Sequence, residues 1–138
     1  MSTVRAEVSK KSQHWIEKHR YYELKHFCLQ YPIWKRAYLE IDGYNARPTD
    51  FGVCHKTFTH SDPTFKAVET REFYKDRIEM IERAAIDTDP GLASYILRAV
   101  TEGMSYTCLK FRLDMPCGRE KYYNCYRKFF WLLSQARN

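Results

Sequence analysis

Three features are missing from this sequence, and each absence narrows the class of protein. No apolar run approaches the roughly 20 residues that a membrane span needs. The first residues, Met1 to Lys11, lack the apolar stretch of a secretory signal. The five cysteines are an odd number without a Cys-x-x-Cys pair, which fits reduced thiols better than a disulfide framework. We therefore expect a soluble protein of the cytoplasm with no membrane partner.

Motifs for catalysis and for cofactor binding are also missing. The sequence has no glycine-rich phosphate loop, no nucleophile elbow and no paired-carboxylate pattern. Two groups of potential metal ligands lack the paired spacing of a zinc site: His14, His19, His26 and Cys28, and Cys54, His55 and His60. We therefore predict a protein that is not an enzyme, binds no metal and needs no cofactor. The histidines are interpreted as part of a basic face, where partial protonation adds to the attraction for phosphates.

Positive charge is concentrated at the C-terminal end. Residues 104–138 carry seven Lys and Arg against two Asp and Glu, a net charge of +5, whereas residues 46–103 have a net charge of −2 and residues 1–45 one of +3. The same C-terminal residues are rich in apolar side chains, so they must fold rather than form a solvated tail. A folded basic segment is typical of a surface that faces phosphates.

Glycine and proline number only five each, and the apolar residues recur with helical rather than alternating spacing. We therefore predict an all-α protein. Residues 1–45 form a basic helical hairpin that breaks at Tyr31-Pro32, and its second helix presents Ile33, Ala37 and Ile41 at four-residue steps. Residues 46–61 form a linker, and residues 62–138 form a C-terminal helical domain.

Proline, glycine and serine mark the predicted ends of these helices. Asp62-Pro63 and Asp89-Pro90 each have the pattern of an N-cap followed by a first-turn proline. Gly43 and Gly103 are predicted stops, and Ser105 is a predicted N-cap. A short helix then leads to the turn at residues 114–118, and a last helix runs from about Arg119 to Gln135.

The last helix divides by its period into two faces. The predicted inward stripe contains Tyr122, Cys125 or Tyr126, Phe129 and Leu133. The outward face holds the residues that we predict to contact DNA: Arg119, Glu120, Lys121, Tyr123, Asn124, Arg127 and Lys128. Arginine reads guanine edges and asparagine reads adenine, while lysine and tyrosine reach phosphates. A short helix, a tight turn and such a helix form the layout of a helix-turn-helix, whose second helix lies in the major groove.

At these positions the chain resembles a known family. Residues 101–106 (TEGMSY) look like the entry to the helix-turn-helix of sigma-factor region four, and residues 118–130 (GREKYYNCYRKFF) look like its recognition helix. Phage-encoded regulators of the ArpU/RinA type carry a similar unit, and residues 62–64 (DPT) and 78–84 (IEMIERA) also look similar to theirs. The resemblance covers roughly residues 62–138. From Ser105 to Tyr122 this chain is longer than the usual sigma-type unit, and the turn at Met115–Gly118 absorbs the difference.

The resemblance implies a sequence-specific DNA-binding regulator of transcription, an activator of late genes in a phage or prophage. Its partners would be double-stranded DNA, host RNA polymerase and, for a homodimer, a second copy of the chain. Two alternatives remain open on the sequence. One is a small-terminase-like subunit that recognises DNA for phage packaging, and the other is a protein-binding inhibitor that copies a helix-turn-helix to occupy host polymerase.

Overall fold

A computed structural model describes residues 13–46 and 63–137, and within these ranges the chain is helical and contains no strand. The prediction of an all-α protein is confirmed. The linker predicted at residues 46–61 lies outside the described residues except for Ala46, which ends a helix. The six helices are α1 (Lys18–Leu29), α2 (Tyr31–Ala46), α3 (Pro63–Thr88), α4 (Ala93–Glu102), α5 (Tyr106–Leu113) and α6 (Arg119–Ala136). No helix of the described residues is both long and apolar enough to cross a bilayer.

Several helix ends lie where the sequence predicts them. Pro63 is the first residue of α3, while its predicted cap Asp62 lies outside the described residues. Gly103 ends α4 with a φ of 72°, a left-handed conformation that glycine adopts without a steric penalty. The Ser105 hydroxyl accepts a hydrogen bond from the Cys108 backbone N–H (3.2 Å) and so caps α5.

Two predicted ends are wrong. Asp89-Pro90 does not begin a helix, because the Asp89 carboxylate accepts a hydrogen bond from the Gly91 backbone N–H (2.9 Å) and holds a turn. Helix α4 begins only at Ala93. Gly43 does not end α2, which continues to Ala46, since one glycine inside a helix costs only about 1 kcal/mol.

The core is one connected cluster to which every helix except α5 contributes several residues, and α5 contributes Leu109. In α1 the apolar side chains Leu24, Phe27 and Cys28 are buried. In α2 the predicted stripe is wrong at Ile33, which is 60% exposed, whereas its neighbour Trp34 is only 7% exposed. The ring centroids of Trp34 and Phe27 lie 4.8 Å apart. Trp34 therefore packs into the core against α1, and Ile33, one position earlier on α2, lies outward.

Helix α1 packs along the C-terminal half of α6. The Arg20 guanidinium donates hydrogen bonds to the Ser134 hydroxyl (Nε to Oγ, 3.0 Å) and to the Ser134 carbonyl (Nη2 to O, 2.9 Å). The Tyr21 hydroxyl lies 2.9 Å from that of Tyr126, and the Tyr21 ring meets Phe130 at 5.1 Å between centroids. The C-terminal half of α6 is therefore enclosed, and the outward side of its N-terminal half forms a surface.

Candidate nucleic-acid interface

The first three turns of α6 carry all seven residues that the sequence predicts to contact DNA. Their inner neighbours Tyr122, Phe129, Phe130 and Leu133 are buried, which fixes the rotation of the helix. None of the seven is buried. Four are exposed, namely Arg119, Glu120, Lys121 and Asn124, and three are half-buried, namely Tyr123, Arg127 and Lys128. Cys125 and Tyr126, between which the sequence left the inward position open, are both half-buried.

The turn before α6 is held in place by side chains on both of its sides. Met115 is buried in the core, and Asp114 adopts a left-handed conformation with a φ of 54°. The Lys110 ammonium of α5 donates hydrogen bonds to the Met115 carbonyl (3.2 Å) and the Cys117 carbonyl (3.3 Å). These contacts satisfy carbonyls of the turn and fix the point at which α6 begins.

Arg119, at the start of α6, is oriented by an aromatic side chain of α5. Its guanidinium carbon lies 4.7 Å from the centroid of the Tyr106 ring, and the Tyr106 ring also neighbours those of Tyr122 (5.5 Å) and Tyr123 (6.1 Å). A guanidinium that stacks on a ring keeps its edge donors available for bidentate hydrogen bonds. A depression of about 460 Å³ opens on this side of α6, lined by Arg119, Glu120, Tyr123, Asn124 and Arg127.

Asn124 and Arg127 form a pair in the middle of the outward face. The Arg127 guanidinium donates a hydrogen bond from Nη1 to the Asn124 side-chain oxygen, at 3.1 Å. The amide group of Asn124 keeps its two N–H donors, while its oxygen is already engaged. A bidentate contact to adenine uses both the oxygen and the N–H₂ group of an asparagine, so such a contact at Asn124 would have to share the oxygen with Arg127 or displace it.

On the other side of α6 lies a larger cleft of about 530 Å³, which we call the His14 cleft. It is lined by Gln13, His14, Thr88, Glu120, Lys121, Asn124, Cys125, Arg127 and Lys128. Its walls are the segment that precedes α1, the end of α3 and the outward face of α6. The Lys121 ammonium lies 4.0 Å from an Asp89 carboxylate oxygen, at the far limit of an ion pair. Exposed pairs of this kind contribute about 0–1 kcal/mol and break readily.

The electrostatics of the His14 cleft favour an anion. Lys121, Arg127 and Lys128 supply three positive charges, which exceed the negative charges of Glu120 and the nearby Asp89. Burial, and then the positive charge of Lys128, lower the pKa of His14. Burial raises the pKa of the Cys125 thiol, and Asp89 raises it further, so Cys125 is a neutral group in this cleft at pH 7.

The His14 cleft contains residues that the sequence did not single out as DNA contacts. The sequence indicates for His14 only a place on a general basic face, and it indicates no role for Gln13 and Thr88. The ring of His14 meets Trp131 edge-on, with 5.2 Å between centroids, and it is this contact that brings the segment before α1 to α6. No sequence pattern joins two residues more than 100 positions apart, so this signal exists only in the folded chain.

The other potential metal ligands do not form a site in the part of the chain that the structure describes. No three His, Cys, Asp or Glu side chains of residues 13–46 and 63–137 converge as metal ligands would. Cys28 is fully buried, and burial raises the pKa of its thiol. Cys54, His55 and His60 lie outside the described residues.

Comparisons of the chain with family models, with curated proteins and with solved structures returned no match. The kinship with ArpU/RinA-type regulators therefore stays a prediction that rests on the sequence stretches quoted above.

Proposed function

We propose that this protein binds double-stranded DNA through the N-terminal half of α6 and regulates transcription, as expected for a phage or prophage activator that acts with host RNA polymerase. The observation that supports the proposal most directly is the outward face of α6. It combines four Lys and Arg side chains with Asn124 and Tyr123, and none of these side chains is buried. The start of this helix is fixed by the preceding turn, whose carbonyls accept hydrogen bonds from Lys110. In this proposal α5, the turn and α6 act as a helix-turn-helix.

The geometry suits insertion of the first half of α6 into a major groove. The groove is about 12 Å wide and admits one helix, and in this class of motif the N-terminal residues of the second helix contact the bases. Arg119 stands at the start of α6 and is oriented by Tyr106. Lys121 and Lys128 lie on the side of the His14 cleft, where they would reach one phosphate strand.

We propose a binding protein rather than an enzyme, in line with the expectation from the sequence. A nuclease holds Mg²⁺ with clustered carboxylates. The outward face of α6 contributes a single carboxylate, that of Glu120, and Asp89 beside it is paired with Lys121. These groups sit among cations that would repel a metal ion and attract a phosphate.

The experiment compares two triple variants that lose the same charge. In R119Q/K121Q/R127Q the cations of the outward face are removed, and in R36Q/K66Q/K75Q three exposed cations of α2 and α3 are removed. Binding of a mixed-sequence duplex is measured over a range of salt concentrations from about 50 to 200 mM. We expect the first variant to lose affinity and to flatten the salt slope by about one unit per lost phosphate contact, and the second to keep most of both.

The alternatives give different results. If the α6 variant is folded and binds duplex as tightly as the unchanged protein, α6 does not face DNA, and a protein-binding inhibitor of polymerase becomes the better proposal. A small-terminase-like subunit would bind DNA but assemble as a ring. A molar mass measurement in solution separates such a ring from a monomer or dimer.

A further inference from the structure

The His14 cleft brings a titratable ring to the edge of the proposed DNA surface. The imidazole of His14 meets the Trp131 ring edge-on at 5.2 Å between centroids and lines the same cleft as Lys121, Arg127 and Lys128 of α6. Thr88 on the opposite wall is buried, and its hydroxyl donates a hydrogen bond to the Ala84 carbonyl (2.8 Å), so it is committed to α3. The cationic side chains that line the cleft together with His14 are Lys121, Arg127 and Lys128.

We propose that a backbone phosphate of bound DNA enters the His14 cleft and that His14 takes up a proton from solvent when it does, so that DNA binding strengthens as the pH falls. This inference rests on the proposed function. It goes further by assigning a phosphate-contacting role to a residue outside the helix-turn-helix, and by making affinity depend on pH in the range where histidine titrates.

The charges around His14 explain why its pKa should be higher in the DNA complex than in the free protein. In the free protein Lys128 faces His14 and, together with burial, keeps the pKa of the imidazole low. Lys121 and Arg127 add positive charge across the cleft, Glu120 and Asp89 add negative charge, and Cys125 is neutral. A phosphate adds a full negative charge among these groups and offsets the cations, which favours the imidazolium.

The sign of the effect follows from linkage. A group whose pKa is higher in the complex than in the free protein binds a proton on association, and the complex is then favoured as the pH falls. The gain in affinity is up to about tenfold for each pKa unit by which the phosphate raises His14. At a pH above the pKa of His14 in the complex, the imidazole is neutral in both states and the dependence disappears.

The experiment measures the dissociation constant for a mixed-sequence duplex between about pH 5.5 and pH 8, at constant ionic strength, with the full-length chain. Proton uptake is measured independently by calorimetry in buffers of different ionisation enthalpy. The variants are H14Q and H14F, since phenylalanine keeps a ring against Trp131 and cannot be protonated. The matched control is H26Q, at an exposed position of α1. Circular dichroism at each pH checks that all variants are folded.

We expect the unchanged protein and H26Q to bind DNA more tightly at the acidic end of this pH range and to take up a fraction of a proton on binding. H14Q and H14F should lose both the pH dependence and the proton uptake. If the unchanged protein binds DNA and both His14 variants keep its pH dependence and proton uptake, the inference is wrong and the proposed function stands. If the unchanged protein binds no duplex at any pH, the proposed function fails and the inference fails with it.

Discussion

The two halves of α6 have opposite environments although they belong to one helix. The outward face of residues 119–128 presents charged and polar side chains, and its contacts outside the helix include a ring stack of Arg119 on Tyr106, a long ion pair of Lys121 with Asp89 and the His14 cleft. Residues 129–137 are enclosed by α1, with Phe129, Phe130 and Leu133 fully buried. The Arg137 guanidinium closes this half, 4.1 Å from the centroid of the Phe27 ring and 3.5 Å from a Glu23 carboxylate oxygen.

This contrast shows how one helix can be held in the core by one half while the other half exposes side chains for binding. The C-terminal half anchors α6 on α1, because the Phe130 ring packs against Tyr21 and the Arg137 guanidinium lies over the Phe27 ring. In the N-terminal half Tyr122 still packs in the core, but the outward side chains can face solvent without having to stabilise the fold. A surface built on a rigidly held helix is more precise than one on a loop. The predictions below test each half separately, and the largest effect comes first.

The largest effect is expected from removing the helices that enclose α6. The sequence predicts that residues 62–138 form a domain of their own, whereas Tyr21, Leu24 and Phe27 belong to the same core cluster as Phe129 and Phe130. A fragment of residues 62–138 would expose these rings to water. We therefore expect it to keep helical circular dichroism but to lose a cooperative urea transition. Removal of residues 1–12 alone, which keeps every described helix, serves as the control and should leave the transition in place.

Cooperative unfolding of the fragment would instead support the boundary predicted from the sequence. If the fragment of residues 62–138 unfolds in one sharp transition at the midpoint of the full chain, the boundary predicted from the sequence is a true domain boundary. The contact between α1 and α6 would then be an interface between two folding units, and the N-terminal helices would be free to serve as a separate partner-binding element.

A smaller effect on stability is expected when one side chain in each half of α6 is replaced by alanine. Phe130 is 0% exposed and its ring meets those of Tyr21, Tyr126 and Phe129 at 5.0–5.1 Å. Phe130→Ala should lower the free energy of unfolding by about 3–5 kcal/mol, through lost burial and the cavity left behind. Asn124→Ala, on the exposed face, should change it by no more than about 0.5 kcal/mol. Urea denaturation of both variants measures the difference, and equal losses would show that the two halves do not differ as described.

The sequence predicted the parts of this fold that depend on local chemistry. The start of α3 at Pro63, the end of α4 at Gly103 and the Ser105 cap all follow from the conformations that these residues favour. The outward position of Arg119 and Asn124 follows from the helical period of their apolar neighbours.

Predictions that depended on tertiary contacts were less successful. Ile33 was predicted to face inward by its spacing, but Trp34 buries more apolar surface and is placed by Phe27 on the preceding helix. Asp89-Pro90 has the same local pattern as Asp62-Pro63, yet Asp89 uses its carboxylate in a turn and as a partner of Lys121. The His14 cleft joins segments that only folding brings together, so no local pattern could have indicated it.

The smallest effect concerns the division of roles between Asn124 and Arg127. The sequence predicts that Asn124 reads a base and that Arg127 contacts phosphate, so that Asn124→Ala should narrow the gap between specific and random DNA while Arg127→Ala weakens both together. The hydrogen bond between the two side chains (3.1 Å) means that they do not act independently. We expect a double-mutant cycle on DNA affinity to show a coupling of about 0.5–1.5 kcal/mol.

The sign of this coupling distinguishes two arrangements in the complex. If Arg127 keeps its hydrogen bond to the Asn124 oxygen and orients the amide toward a base, Arg127→Ala also costs specificity, and the loss in the double variant is smaller than the sum of the single losses. If the hydrogen bond breaks so that Asn124 can form a bidentate contact to adenine, Arg127→Ala removes a competitor for the oxygen, and specificity in that variant is maintained or rises. Duplexes selected from a random pool, each paired with a scrambled control, provide the two affinities. Losses that add within about 0.3 kcal/mol would mean that the pair separates completely on DNA, with each side chain acting alone.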